Sequence, residues 1–108
     1  MFKPRKKGDV SPFDFQLQAN GVAISDVAGS GGFVISLADR KTRTPKVSLY
    51  ACTVQDAPAA MLRWTPISTH VDTPGVYLVE VKQTRADGSV RPFPSSWYGE
   101  LEIQDTLA

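Results

Sequence analysis

Between Asp72 and Gly88 the chain spells a turn, a strand and a second turn. Pro74 fixes φ and Gly75 permits a sharp bend, so the chain swings directly into an extended run. Tyr77, Val79 and Val81 then share one face, and Leu78, Glu80 and Lys82 share the other, half-wet face. Asp87-Gly88 favours the positive φ of a tight hairpin turn. A strand bounded this way needs partners on both edges, and the remaining chain must supply them.

The partners are strands too. Phe13 to Gln18 alternates apolar and polar, so it reads as a half-buried strand. Asn20-Gly21 marks a turn, and Val22-Ala23-Ile24 a short extended piece. After the loop Gly29-Ser30-Gly31-Gly32, Phe33, Ile35 and Leu37 point inward from another strand. Lys46 to Val54 is apolar on both faces: Val47, Leu49 and Ala51 against Tyr50, Cys52 and Val54. That pattern predicts a strand covered on both sides. Gln55 to Ala60 reads as a loop or single turn, Met61 to Thr65 as a strand, and Pro66 to Pro74 as a corner. Val90 to Phe93 and Trp97 to Gln104 close the series. No stretch keeps helical period over ten or more residues. About seven short strands with regular turn signals predict an all-β, antiparallel sandwich. Residues 1–12 read as a basic, mobile N-terminal arm, and residues 13–108 as one β-sandwich domain.

A net charge of +1 supplies no whole-domain field for nucleic acid or an acidic membrane surface. Neither is expected as a partner. The one cysteine, Cys52, cannot form an internal disulfide, which fits a reducing compartment. It is expected to be a reduced, buried packing residue in a strand. No apolar run follows the basic start, so no secretion signal or membrane span is expected.

Candidate chemistry is sparse. His70 and Cys52, the single residues of their kinds, lie too far apart in sequence for a structural zinc site. A Ser-His-Asp set can be drawn from His70, Asp72 and several serines, but no nucleophile elbow supports it. A corner histidine in solvent is the simpler reading. The glycine-rich loop at 29–32 lacks the lysine and helix of a phosphate loop. Expectations are therefore no catalytic residue, no metal and no cofactor. The candidate interaction residues are Lys3, Arg5, Lys6 and Lys7 of the arm, which suit docking on a neighbour, and Trp97, which could stack on a sugar. The structural residues are Asp72, Gly75, Tyr77 and Gly88.

Two resemblances bear on the fold and role. A Tyr two residues after a Gly, with an Asp upstream, is similar to the tyrosine corner of immunoglobulin-like sandwiches, where the hydroxyl bonds nearby backbone. Here that backbone is expected near the Ser68–Asp72 corner. More broadly, Lys7-Gly8-Asp9, Asp72-Thr73, Gly75-Val76-Tyr77, Glu80-Val81, Asp87-Gly88, Phe93-Pro94 and Trp97-Tyr98-Gly99 occur in that order. This series resembles the N-terminal domain of the baseplate upper proteins of tailed phages, a small immunoglobulin-like β-sandwich. The resemblance runs from about residue 7 to residue 105 and is thinnest over Gly29 to Ala60.

It implies a phage or prophage virion structural protein. Such a protein docks to other tail and baseplate proteins, forms a homo-oligomer and assembles in the host bacterial cytoplasm. It would be a bare docking module, a stand-alone relative or a piece of a longer chain. The alternative is a carbohydrate-binding or adhesion sandwich using Trp97 on a glycan.

Overall fold

The computed structural model describes residues 2–94 and 98–107. It is all-β, with ten strands among these residues: β1 (Arg5–Lys6), β2 (Phe13–Gln16), β3 (Gln18–Ala19), β4 (Val22–Ala23), β5 (Gly32–Asp39), β6 (Pro45–Asp56), β7 (Met61–Trp64), β8 (Gly75–Thr84), β9 (Val90–Phe93) and β10 (Gly99–Gln104). Among the described residues one 3-10 turn, Ser68–His70, interrupts them. One curled sheet runs β1-β10-β8-β5-β6-β7-β2, with β9 also on β8, and β3-β4 form a separate ribbon. The expected central strand is β8, flanked by β5 along one edge and by β10 and then β9 along the other.

Two expectations need correction. The sheet is mixed rather than purely antiparallel, because β1 runs parallel to β10. Parallel neighbours need a long connection, and nearly the whole chain lies between these two. The strand count exceeds seven partly because the run Phe13 to Gln18 breaks at Leu17. There the backbone leaves β7, its N–H reaching the Ala60 carbonyl (3.0 Å) and its carbonyl accepting from Ile24 (3.1 Å).

The curl comes from β6. Its first part pairs with β5 and its last part, Thr53 to Asp56, with β7. One twelve-residue strand thus carries the sheet around the core. Inside it, Val47 faces Leu37 and Tyr50 faces Ile35, so an extra residue sits between them, and Leu49 has φ 51°. This bulge slips the side-chain alternation by one. Val47 therefore joins Tyr50 and Cys52 on the core side, while Leu49 and Ala51 turn to solvent. The outer face expected to be covered is open.

The core is one cluster. Phe33, Ile35 and Leu37 of β5, Tyr77, Val79 and Val81 of β8, and Leu101 and Ile103 of β10 pack with Phe13, Phe15, Leu62 and Trp64. Trp64 stacks on Phe13 with centroids 4.7 Å apart. The apolar alternation of β8 decides which face is buried. On its opposite face Glu80 and Lys82 are half-buried, yet Leu78 is only 5% exposed.

The corner before β8 closes as a short loop. The Tyr77 hydroxyl donates to the Thr73 carbonyl at 2.7 Å, beside the Ser68–Asp72 corner as expected. Gly75 has φ +152°, a conformation that a side chain would strain. Asp72 does not reach Tyr77's hydroxyl but accepts from Lys46 and from the Thr73 hydroxyl. At the far end of β8, Gly88 (φ +87°) completes the turn, with the Asp87 carboxylate accepting from Ser89. Tyr77→Phe should keep the fold and lose about 1 kcal/mol, because one buried bond goes and the Thr73 carbonyl loses its donor. Urea denaturation of both proteins measures this; equal midpoints would mean that the corner bond contributes nothing.

Residues 2–8 do not stand off as a mobile arm. β1 pairs with Ile103 and Gln104, Lys7 N–H donates to Gln104 (2.7 Å) and Gly8 N–H to Val71 (2.8 Å). Phe2 packs against Phe13 (5.1 Å) and Phe15 (5.3 Å). The one aromatic in a basic segment finds the end of the aromatic core, and burial of that ring offsets the cost of ordering the chain.

Candidate interaction surface

The docked N-terminal segment divides the four expected interaction cations. Lys3, Lys6 and Lys7 are exposed. Arg5 is half-buried, its guanidinium 3.6 Å above the Phe13 ring and bonded to the Ser11 carbonyl, with Asp9 3.8 Å away. Arg5 thus serves its own domain by cation–π contact and capping. Trp97, the other candidate, lies outside the described residues.

The largest change concerns His70. It was expected in solvent and is 7% exposed, its ring edge-on to Tyr50 at 4.5 Å and tilted against Trp64 at 5.9 Å. Nδ1 accepts the backbone N–H of Ile67 at 3.3 Å. Burial, and then the nearby Lys46 charge, hold its pKa below 6.5. No group of three or more His, Cys, Asp or Glu among the described residues could hold a metal. Two outward glutamates are engaged singly, Glu80 with Lys82 and Glu100 with Arg40, each at 3.7 Å.

What stands out instead is the open side of β6. Leu49 is 59% exposed, held there by its bulge and by a bond from its N–H to the Ser36 hydroxyl (3.0 Å). Ala51 lies beside it, and its cross-strand partner Val34 extends the apolar strip onto β5. Thr53 continues this outer face along the strand, opposite Arg63 of β7, whereas Val54 faces the buried Leu62 on the inner side and is 44% exposed near the strand's end. The strip is bordered by Arg63, which is paired with Asp14 across β7 and β2 (2.7 and 3.0 Å). Nearby on the sheet's outer side is a depression of about 290 Å³ above Leu78, lined by Ser36, Arg43, Ser48, Glu80 and Tyr98. The Arg43 guanidinium lies 5.4 Å from the centre of the Tyr98 ring.

No family model, curated protein or solved structure matches the chain. No helix among the described residues is long and apolar enough to cross a membrane.

Cys52 is half-buried beneath this surface and packs on the core. Burial pushes its pKa up to about 12. Because the thiolate is the reactive form, labelling by a maleimide at pH 7.5 should be slow in the native protein and fast after denaturation. Rapid native labelling would mean that the inner side of β6 is open.

Sequence reasoning missed Gln83, a fully buried polar residue. Its Nε2 donates to the Asp26 carbonyl (3.1 Å) and the Ser30 hydroxyl (2.8 Å), pinning the 26–30 loop over β8. The signal was present: the inward alternation of Tyr77, Val79 and Val81 continues to residue 83.

Proposed function

We propose that this chain is a virion structural module of a tailed-phage tail or baseplate, acting by protein–protein contact and not as an enzyme. The observation that carries the reading is the open apolar strip of β6. A sheet face that turns Leu49, Ala51 and the half-buried Val34 outward is suited to a neighbour. The fold supports the same reading. β1 runs parallel to the last strand, β8 begins at a tyrosine bonded back to its corner, and β6 passes from β5 to β7. This order fits an immunoglobulin-like sandwich, the architecture implied by the ordered turn motifs.

The neighbour is a second copy of this chain or another tail protein, and the module sits in the virion after assembly in the host cytoplasm. A stable contact would bury on the order of 1,200 Å² in total. A photo-crosslinking residue at position 49, in cells producing the virion, tests the role. Cross-links to this chain or to identified tail and baseplate proteins support it; none at position 49, with free protein absent from purified virions, overturns it.

A carbohydrate-binding module is favoured by one feature. The depression above Leu78 combines an apolar floor with Tyr98, Arg43, Glu80 and two serines, a lining suited to a sugar ring. Binding to a glycan array that is lost in Tyr98→Ala would support this reading.

A further inference from the structure

We propose that His70 is an acid-sensitive latch: neutral, it holds the N-terminal strand on the domain, and protonated, it lets that strand go. Nδ1 accepts the Ile67 N–H, so the proton of the neutral ring is on Nε2. Two routes connect the ring to the N-terminal segment. Through backbone, the next residue, Val71, offers the carbonyl that holds Gly8 N–H at 2.8 Å. Through side chains, His70 touches Trp64, and Trp64 touches Phe2 with centroids 6.3 Å apart. The corner and the first strand are therefore ordered together.

The charged surroundings do not favour an imidazolium. Lys46 of β6 repels it. Tyr50 of β6 is the other titratable group against the ring, and it meets the ring edge-on. Asp72, the carboxylate of the same corner, is already engaged by Lys46 and Thr73. From β7 and the N-terminal segment the contacts are the uncharged rings of Trp64 and, behind it, Phe2. Arg5 is held by Asp9 and by the Ser11 carbonyl. Protonation would set a donor at Nδ1 against the Ile67 donor and place a second cation near Lys46, with water largely excluded.

The direction follows from linkage. His70 is held below 6.5 in the fold, so the unfolded chain binds the proton more tightly. The latch is fully effective above about pH 6.5 and weakens as pH falls below it. Asp9, held low chiefly by its bonds from Ser11, and Asp72, held low chiefly by Lys46, both sit below 3.8. Both therefore stay largely ionised from pH 7.5 down to 4.5.

Heteronuclear NOE measurements on the ¹⁵N-labelled chain from pH 7.5 to 4.5, alongside the His70 ring-proton shifts, test this. The amides of residues 3–8 should be rigid at pH 7.5 and become mobile with the same midpoint as His70, while β5 and β8 keep their dispersed resonances. In His70→Asn, whose side-chain oxygen replaces the acceptor but does not titrate in this range, residues 3–8 should stay equally ordered at both ends. Residues 3–8 that remain rigid after His70 has charged, or a release identical in His70→Asn, would overturn the latch. So would loss of β5 and β8 dispersion at the same midpoint, which would make the event global unfolding.

Discussion

Trp64→Ala should cost about 3–5 kcal/mol, the range for removing a large aromatic from a packed core. Trp64 is 0% exposed and stacked on Phe13, with Phe2 and His70 against it. A small domain is stable by about 5–15 kcal/mol, so this one change should remove a large share of the margin or unfold the chain at room temperature. Urea denaturation followed by circular dichroism reads the effect, because the fluorescence of Trp64 itself is lost and only Trp97 would remain. A loss under about 1 kcal/mol would mean that the cluster at this end of the core is not close-packed.

Deleting residues 1–7 is the second large effect. A mobile basic arm could be removed with little consequence. Here the deletion takes the Phe2 ring from three aromatic partners, Arg5 from the face of Phe13, and β1 from the free edge of β10. Burying a phenylalanine contributes roughly 1.5–3 kcal/mol. Phe2 is only partly buried, so the whole segment should contribute on the order of 2 kcal/mol. Phe2→Ala in the full chain should account for more than half of that loss, whereas Lys3, Lys6 and Lys7 changed together to alanine should leave the melting midpoint within about a degree. An unchanged midpoint after deletion would return the segment to the mobile-arm description.

These two results mark where the sequence could be read and where it could not. The β8 strand, its Pro-Gly entry and its Asp-Gly exit follow from rules that act over two to four residues, and they appear in the structure as expected. The same holds for the inward faces of β2, β5 and β10, where alternation is unbroken. The bulge at Leu49 left no local mark. Both faces of that run are apolar, so a one-residue slip changes which side is buried without changing the pattern.

Phe2 and His70 failed for another reason. Each lies in a polar stretch with no period. Phe2 is placed by Trp64, far along the chain, and His70 by Tyr50 of β6, and these become neighbours only after the strands have paired. The split of the basic run has the same origin, since Arg5 is separated from the lysines by a ring that the chain supplies at Phe13. The candidate surface was thus half visible: residues 46–54 stood out as a strand apolar on both faces, but the side that remains open depended on the bulge.

The central claim is that the open strip of β6 is an interface, and sedimentation equilibrium over a wide concentration range tests it most directly. The chain should exceed its monomer mass of 11.8 kDa increasingly as concentration rises. Leu49→Glu, an exposed change that should leave the melting midpoint nearly unaltered, should hold the protein at monomer mass throughout. A wild-type chain that stays monomeric at every concentration, or a Leu49→Glu variant that associates equally well, would contradict the account.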